Sequence, residues 1–398
     1  MSNLVNAERV HIGIFGLRNA GKSSLINSLT NQNVAIVSDI EGTTTDPVKK
    51  SMELLPIGPV VIVDTPGLDD EGELGALRVK KAKQVLNYID LAIIVRDLEK
   101  INLKKEREVI KLIKSKNVLY IVVYNKLDRH NPINELMLED NEFAVSAKTG
   151  EGIEELKEGI GKFINKKSDK KILENIVNEG DTVVMVVPID AGAPKGRIIL
   201  PQQQVLRELI DKNALALVTS PENLKESLNK LKEKPSLVIT DSQVFGIVDK
   251  IVPNDILLTS FSILFARYKG SLEVLVEGVN GLDELKDGLK VLISEGCTHH
   301  RQCEDIGTVK MPKWIKEYSG KDIEFEFTSG GEFPEDLSKY DLIVHCGGCM
   351  INQREMHYRL SHASDENKKI TNYGMAIAKM HGMLNRSLKP FKEMEKYL

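Results

Sequence analysis

A glycine-rich turn near the amino terminus limits this chain to a small set of folds. Residues 16–23 read Gly-Leu-Arg-Asn-Ala-Gly-Lys-Ser and fit the pattern G-x-x-x-x-G-K-[ST]. An apolar, strand-like segment at 10–15 precedes the turn, and a helix-like segment at 24–29 follows it. In this setting the backbone N–H groups of the turn face phosphate oxygens, and the helix N-terminus adds positive potential. The motif predicts a phosphate-binding loop inside an α/β domain.

Two side chains of this loop have separate predicted roles. Lys22 is expected to reach the β- and γ-phosphates and to act in catalysis, and the Ser23 hydroxyl is expected to bind Mg²⁺. The other contacts to the nucleotide are expected from their neighbours in the turn and in the first helical turn. The predicted nucleotide-binding residues here are Asn19, Ala20, Gly21, Lys22, Ser23 and Ser24.

A second motif, Asp-Thr-Pro-Gly at 64–67, follows another apolar segment. We expect Asp64 to hold Mg²⁺ through a water molecule, as the acidic residue of such nucleotide sites does. The Gly67 N–H is expected to face the γ-phosphate. Asp64 and Gly67 are therefore both predicted to contact the nucleotide, and Gly67 is also predicted to be catalytic.

Two later motifs predict that the base is guanine. Asn-Lys-Leu-Asp ends one strand-like segment, and the Asp128 carboxylate can accept from the guanine ring N–H and exocyclic amine, a pattern that adenine lacks. Ser-Ala-Lys follows the next such segment and would place a backbone N–H against the guanine carbonyl. The predicted base-binding residues are Asn125, Lys126, Asp128, Ser146, Ala147 and Lys148. Four motifs in this order indicate a GTPase that uses GTP, GDP and Mg²⁺.

Strand-like apolar segments and amphipathic, helix-like segments alternate along the chain. Strands are predicted at 10–15, 60–64, 91–96, 118–125, 142–146, 182–187, 214–219, 236–240, 255–259, 290–294, 323–327 and 342–344. Helices are predicted at 221–232, 352–363 and 372–385. The fold class is therefore α/β: a doubly wound P-loop GTPase sheet at 1–168, followed by two further, smaller α/β domains at 176–270 and 271–398.

Composition narrows the function classes. The 398 residues are 41% hydrophobic and 28% charged, which excludes a disordered or fibrous chain. The formal net charge of −4 argues against a basic surface for nucleic acid. No apolar run approaches the ~20 residues that span a membrane, and the amino terminus lacks the pattern of a signal peptide. We expect a cytoplasmic protein with no nucleic-acid partner and no membrane contact.

All four cysteines lie between Cys297 and Cys349, in two short segments that also hold three of the eight histidines. The segments read Cys-Thr-His-His-Arg-Gln-Cys at 297–303 and His-Cys-Gly-Gly-Cys at 345–349. Each closely follows a predicted strand, so parallel neighbouring strands would bring both to one crevice. The clustering indicates metal or redox chemistry. Its spacing suits zinc and an iron–sulfur cluster about equally, and the remaining alternative is four buried thiols.

The segment Gly-Thr-Thr-Thr-Asp at 42–46 is similar to switch I of the TrmE- and Era-type bacterial GTPases, which carry G-T-T-x-D there. This resemblance implies that Thr44 contacts Mg²⁺ and acts in catalysis. It also implies that Asn19 binds K⁺, as in the potassium-activated members; the alternative for Asn19 is a loop-stabilising side chain. Leu68 stands where signalling GTPases orient water with a glutamine, so hydrolysis must draw its charge stabilisation from elsewhere.

The cysteine motifs behind a P-loop domain, with Pro-Ile-Asp-Ala-Gly-Ala-Pro-Lys-Gly-Arg at 188–197, resemble the HydF family of FeFe-hydrogenase maturation GTPases over the whole chain. The resemblance implies a 4Fe–4S cluster on Cys297, Cys346 and Cys349. It also implies a scaffold that transiently holds a di-iron precursor, made by two radical-SAM maturases, and delivers it to apo FeFe-hydrogenase. Residues 176–270 would then be the dimerisation domain of a homodimer, and residues 271–398 the cluster domain.

The fourth cluster position is open at this stage. His299, His345 and Glu304 are candidates either for the fourth ligand or for a supporting position around the cluster. Cys303 is interpreted as an accessory thiol. Two other functions compete with the scaffold: a zinc-stabilised GTPase whose last domain binds a partner protein, and a redox sensor that gates nucleotide hydrolysis.

Overall fold

The computed structural model describes residues 7–30, 47–66, 80–98, 103–129, 138–164, 170–189, 198–296 and 305–398. The chain divides into two compact units, Met1–Ser168 and Asp169–Leu398. No helix among these described residues is long and apolar enough to cross a membrane.

Within its described residues, the first unit contains a six-stranded sheet in the order β2-β3-β1-β4-β5-β6. All neighbouring pairs are parallel except β2 with β3. The strands are β1 (Val10–Gly16), β2 (Val48–Leu54), β3 (Gly58–Asp64), β4 (Leu91–Asp97), β5 (Leu119–Asn125) and β6 (Glu142–Ala144). The helices are α1 (Lys22–Thr30), α2 (Leu103–Ser115) and α3 (Ile153–Ile164), with a 3₁₀ turn at Leu127–Arg129, and residues 80–85 are also helical.

Helices cover both faces of this sheet, because its central strands are apolar on both sides. Along β1, Ile12 and Ile14 pack with apolar residues of α1 and α3, whereas Phe15 packs in a second core on the other face. The second core includes Ile113 of α2. This arrangement confirms the predicted doubly wound α/β class.

The second unit contains two four-stranded, all-parallel sheets, in the orders β10-β9-β7-β8 and β12-β11-β13-β14. The first comprises β7 (Thr182–Val186), β8 (Leu215–Thr219), β9 (Leu237–Thr240) and β10 (Leu257–Ser260). The second comprises β11 (Lys290–Ser294), β12 (Glu324–Thr328), β13 (Leu342–His345) and β14 (Lys369–Asn372). One continuous apolar core runs through both sheets.

The helices that follow these strands pack onto the same core. They are α4 (Leu200–Asp211), α5 (Leu224–Lys230), α6 (Phe245–Ile251), α7 (Phe261–Lys269), α8 (Leu272–Val279), α9 (Met311–Ser319), α10 (Gln353–Asp365), α11 (Tyr373–Met380) and α12 (Leu384–Leu388). Shorter helical turns lie at Ser242–Val244, Asn280–Glu284, Ile306–Lys310 and Lys392–Tyr397.

The segment predicted to be helical at 372–385 forms two helices, α11 and α12. Its first residue, Asn372, ends the strand β14, where Ile370 and Thr371 are buried beside β13. Asn372 then caps α11 by accepting from the Met375 N–H at 2.9 Å. Gly382, with φ +72°, separates α11 from α12. A strand of four residues is too short to show a period of two in the sequence.

Candidate functional site

The glycine-rich turn of the first unit joins β1 to α1. Asn19 and Gly21 have φ values of +64° and +91°, so the turn passes twice through the left-handed region. A Cβ on Gly21 would lie 2.2 Å from Asn125 Nδ2, which makes glycine necessary there. The Lys22 ammonium donates to the carbonyls of Gly16 and Leu17 at 3.1 and 3.0 Å. Lys22 is therefore held over the concave side of the loop.

Two of the three residues predicted at Mg²⁺, Ser23 and Asp64, lie together. Ser23 Oγ donates to Asp64 Oδ2 at 3.4 Å, although the residues are on different elements. Asp64 Oδ1 is buried and has no hydrogen-bond partner among the described residues. Burial raises the pKa of Asp64, and the nearby Lys22 ammonium opposes this effect. A hydroxyl beside a buried, unsatisfied carboxylate oxygen is a donor set that fits Mg²⁺.

Asn125 connects the phosphate loop with the two base motifs. Its amide nitrogen donates to the Ala20 carbonyl at 3.0 Å, and its amide oxygen accepts from the Ala147 N–H at 3.0 Å. Ser146 Oγ donates to Asp128 Oδ1 at 2.7 Å, which lowers the pKa of Asp128. Together with the Ser23–Asp64 contact, these bonds bring described residues of all four predicted motifs to one edge of the sheet.

Asp97, at the end of β4, is a residue of this site that the sequence analysis missed. Its carboxylate forms an ion pair with Lys126 at 2.5 Å and is almost fully buried. Lys126 has φ +70°, so this pair fixes a side chain on strained backbone. The sequence signal for Asp97 is that it ends an apolar strand, as Asp64 does. The predicted residues Thr44 and Gly67, and Leu68 beside them, lie outside the described residues.

The Cys-Gly-Gly-Cys segment follows β13 in the second unit. Strands β11 and β13 are parallel neighbours, with Ser294 opposite His345, which is the pairing on which the predicted shared crevice depends. Cys346 Sγ accepts from the backbone N–H of Gly296 at 3.1 Å and of Gly348 at 3.4 Å. Gly296 directly precedes Cys297 in the sequence. The predicted residues Cys297, His299 and Glu304, and Cys303 with them, lie outside the described residues.

The donor set fits an iron–sulfur cluster. Thiolates bind such clusters, and hydrogen bonds from backbone amides to the ligand sulfurs are typical around them. Burial raises the pKa of Cys346 to about 11, and burial also raises the pKa of Cys349. Metal binding would release these protons. Among the described residues alone, no group of three or more histidine, cysteine or acidic side chains converges on one point.

His345 is fully buried and is hydrogen-bonded at both ring nitrogens. Nδ1 lies 2.7 Å from the Cys346 carbonyl oxygen, and Nε2 lies 2.9 Å from the guanidinium of Arg359. A guanidinium only donates, so Nε2 accepts and Nδ1 carries the proton. Burial lowers the pKa of His345 to about 3, which keeps the ring neutral. Of its two predicted roles, the geometry favours support of the cysteine segment over ligation.

Arg359 is a second residue that the sequence analysis missed. Its side chain is completely buried and donates to Glu355 Oε1 at 2.5 Å and to the Gly330 carbonyl at 2.6 Å, besides His345. No local pattern indicates this role, because an arginine four residues after a glutamate is ordinary on an exposed helix. Arg359 fixes the histidine that in turn holds the Cys346 carbonyl.

Comparison with protein-family models gives three matches along the chain. The model described as "50S ribosome-binding GTPase" matches residues 11–126. The model "Hydrogen maturase F dimerization domain" matches residues 172–270, and "Hydrogen maturase F tetramerization domain" matches residues 273–390.

Curated relatives match the amino-terminal part of the chain. The tRNA modification GTPase MnmE of Thermoanaerobacter sp. (strain X514) is 34% identical over 165 residues, which are 40% of this chain and 35% of that protein. The MnmE of Clostridioides difficile (strain 630) is 36% identical over 163 residues, 39% of this chain and 35% of that protein. The chain thus spans about a third of the length of these relatives.

Solved structures of GTP-binding proteins are also similar. An Aquifex aeolicus Era bound to GDP and AlF₄⁻ has a TM-score of 0.34 and 22% identity, and covers 53% of this chain and 92% of its own. The G domain of the T. maritima FeoB iron transporter has a TM-score of 0.31 and 21% identity, with 39% and 98% covered. TM-scores this low add nothing to the family assignment.

The family assignment rests on the order of the three models. A GTPase domain at 11–126 comes first, and two maturase domains match adjacent segments from 172 to 390, where the described cysteines lie. The two maturase models together match more than half of the chain. The chain belongs to the hydrogen maturase F (HydF) family.

Proposed function

We propose that this protein is a GTP-hydrolysing scaffold that binds a 4Fe–4S cluster and delivers a di-iron precursor to apo FeFe-hydrogenase. The observation that carries the proposal is the contact of Cys346 Sγ with the N–H of Gly296, the residue before Cys297. This contact supports a site shared by the two cysteine segments. It lies in the part of the chain that matches the maturase models.

In the first unit, each side chain has a proposed task toward GTP. Ser23 and Asp64 hold Mg²⁺, and Lys22 neutralises phosphate charge. The base is read by Asp128, which Ser146 holds, and by a backbone N–H of residues 146–148, which Asn125 ties to the phosphate loop. Thr44 and Gly67 keep their proposed roles at Mg²⁺ and at the γ-phosphate. Because Leu68 offers no polar group to a water molecule, charge stabilisation must come from the loop and its cations.

Replacing Asp128 with asparagine should weaken GTP binding at least about 10-fold, because a charged acceptor of two guanine N–H groups is lost. Xanthosine triphosphate has a carbonyl in place of the guanine amine, so its affinity for the variant should fall less than that of GTP or should rise. Titration calorimetry with both nucleotides measures this, and Asp140→Asn, at an exposed carboxylate of the same unit, is the control. Unchanged GTP affinity in Asp128→Asn would remove Asp128 from base recognition.

GTP turnover should be faster in KCl than in NaCl at equal ionic strength, because the Asn19 side-chain oxygen is proposed to bind K⁺. Asn19→Gly keeps a residue that tolerates φ +64° but removes this oxygen, so it should erase the difference between the salts. Asn117→Gly, the same change at another left-handed position of this unit, should retain it. If the potassium effect persisted in Asn19→Gly, Asn19 would not bind K⁺ and its role would be limited to the conformation of the loop.

In the second unit, we propose that Cys297, Cys346 and Cys349 hold the cluster. The cluster would supply an anionic iron–sulfur surface with one position open to exchange. His299 or Glu304 fills or supports the fourth position, while His345 fixes the Cys346 backbone. Residues 1–168, 176–270 and 271–398 would act as GTPase, dimerisation and cluster domains of a homodimer in the cytoplasm. The two radical-SAM maturases and the apo-hydrogenase are the proposed partners.

Anaerobic reconstitution of the full chain tests this function. Iron, sulfide, zinc and activation of apo-hydrogenase are measured on the same sample. The proposal expects about four irons and four sulfides per chain, a brown colour and an active hydrogenase. Tightly bound zinc without sulfide would instead support the zinc-stabilised GTPase. A cluster whose oxidation changes GTP turnover but which activates no hydrogenase would support the redox sensor.

A further inference from the structure

Lys269, the last residue of α7, has its side chain inside the protein. Only 2% of the residue is exposed. Its ammonium donates to three backbone carbonyls of the cysteine segment, those of Gly348 at 3.0 Å, Cys349 at 3.1 Å and Ile351 at 2.9 Å. A lysine that belongs to the stretch matched by the dimerization model thus holds a loop that belongs to the next model.

This contact explains the shape of the loop. Three carbonyl dipoles that point to one buried place repel each other and need a donor there, because unsatisfied buried acceptors are costly. With its carbonyls at Lys269, the loop turns the Gly348 N–H toward Cys346 Sγ. Gly348 has φ +64°, and a Cβ there would lie 2.3 Å from Met356 Cε. In this backbone conformation the loop carbonyls face the Lys269 ammonium on one side, and the Gly348 N–H faces the Cys346 sulfur on the other.

Burial of this ammonium needs a reason, because taking a charge out of water is unfavourable. A leucine or methionine at the end of α7 would fill the same core with no such cost. The ammonium lies 3.1 Å from the carbonyl oxygen of Cys349, so its fixed positive charge stands beside the cysteine pair.

We infer that Lys269 is a positioning residue of the cluster site, which clamps the Cys-Gly-Gly-Cys loop in its ligating shape and places a fixed positive charge beside the cluster. The inference rests on the proposed function, because it assumes that Cys346 and Cys349 bind the cluster. A nearby cation stabilises the more negative, reduced state of a cluster and so raises its reduction potential. Lys269 therefore sets both the affinity for the cluster and its potential.

Three variants of the full chain separate these effects. Lys269→Met removes the charge and the hydrogen bonds, whereas Lys269→Gln keeps a neutral donor. Lys212→Met is the control, because the Lys212 ammonium also donates to a carbonyl, that of Val177 at 3.2 Å, but both residues precede the strands β8 and β7 of the first sheet. Fluorescence of Trp314, the single tryptophan, which packs on the core of the second unit, verifies folding.

After anaerobic reconstitution, Lys269→Met should bind the cluster about 10-fold more weakly, as losses around metal ligands do. Lys269→Gln should load more cluster than Lys269→Met, but its midpoint potential should be more negative than that of the wild type. In metal-free protein, hydrogen exchange of the peptide at 345–351 should be about 10-fold faster in Lys269→Met. Lys212→Met should match the wild type in all three measurements.

Wild-type loading, potential and exchange in Lys269→Met would overturn the inference. If Lys269→Met does not fold, a wild-type potential in Lys269→Gln would overturn the assigned charge effect. A wild-type chain that binds neither iron nor sulfide would refute the proposed function. In that case faster exchange in Lys269→Met would still support the clamp, and unchanged exchange would refute it.

Discussion

Replacing Cys346 with alanine is expected to remove the iron–sulfur cluster while GTP hydrolysis continues. Cys346 is proposed to supply a metal bond, and its sulfur accepts the backbone N–H groups of Gly348 and of Gly296, the residue before Cys297. The groups proposed to bind nucleotide belong to the other compact unit, so losing the cluster need not disturb them. Iron and sulfide per chain should fall to background and hydrogenase activation should disappear. GTP turnover should stay close to the wild-type rate.

Two further cysteine variants are controls, one for collapse of the loop and one for the loss of any thiol. Cys346→Ser keeps an acceptor for the two N–H groups, so its loss of iron cannot be assigned to a collapsed loop. Cys303→Ala removes a thiol that is outside the proposed ligand set, and it should retain the cluster. A Cys346→Ala chain with normal iron, sulfide and maturation activity would refute the proposed scaffold function.

The reciprocal control is Lys22→Ala. Loss of the ammonium that faces the phosphates should lower GTP turnover by about 10²- to 10³-fold, in line with the removal of one charge-stabilising donor. Cluster assembly on the second unit should proceed as in the wild type. If Cys346→Ala and Lys22→Ala each lost both the cluster and GTP turnover, the proposal that the two units have separate functions would be wrong.

Much of the nucleotide site could be predicted from the sequence, because each motif follows an apolar strand and the carboxyl ends of parallel strands meet at one edge. Asp64 and Asn125 needed only this rule to be placed near Lys22. The same rule applies to the strands before the two cysteine segments, since β11 and β13 are parallel neighbours. The edge strand β2 was missed because lysine and serine interrupt its apolar pattern, as on exposed edges.

The parts that could not be predicted depend on contacts between distant segments. Lys269 and Arg359 look like ordinary helix residues in the sequence, and only folding shows that their charges are buried against the cysteine segment. The sequence left His345 either as a cluster ligand or as a supporting residue, because its tautomer and hydrogen-bond partners are properties of the folded chain. Asp97 was missed because its partner Lys126 follows a different strand.

Replacing Arg359 with leucine should lower the free energy of unfolding of the second unit by about 3–5 kcal/mol, as expected when one partner of a buried ion pair is removed. The change leaves Glu355, whose side chain is 15% exposed, with a charge and no guanidinium. It also leaves the Nε2 atom of His345 and the Gly330 carbonyl without this donor. Urea unfolding followed by the fluorescence of Trp314 reports on this unit.

The control is Arg207→Leu, because Arg207 pairs with Asp211 at the same four-residue helical spacing but on the surface. It should leave the free energy of unfolding nearly unchanged, as exposed pairs contribute little. The double variant Arg359→Leu with Glu355→Leu should recover part of the loss, since no buried charge is then left alone. An Arg359→Leu chain as stable as Arg207→Leu would show that the arginine does not hold His345 and the cysteine segment in place. A destabilised chain that the second substitution partly rescues would assign the loss to the buried pair.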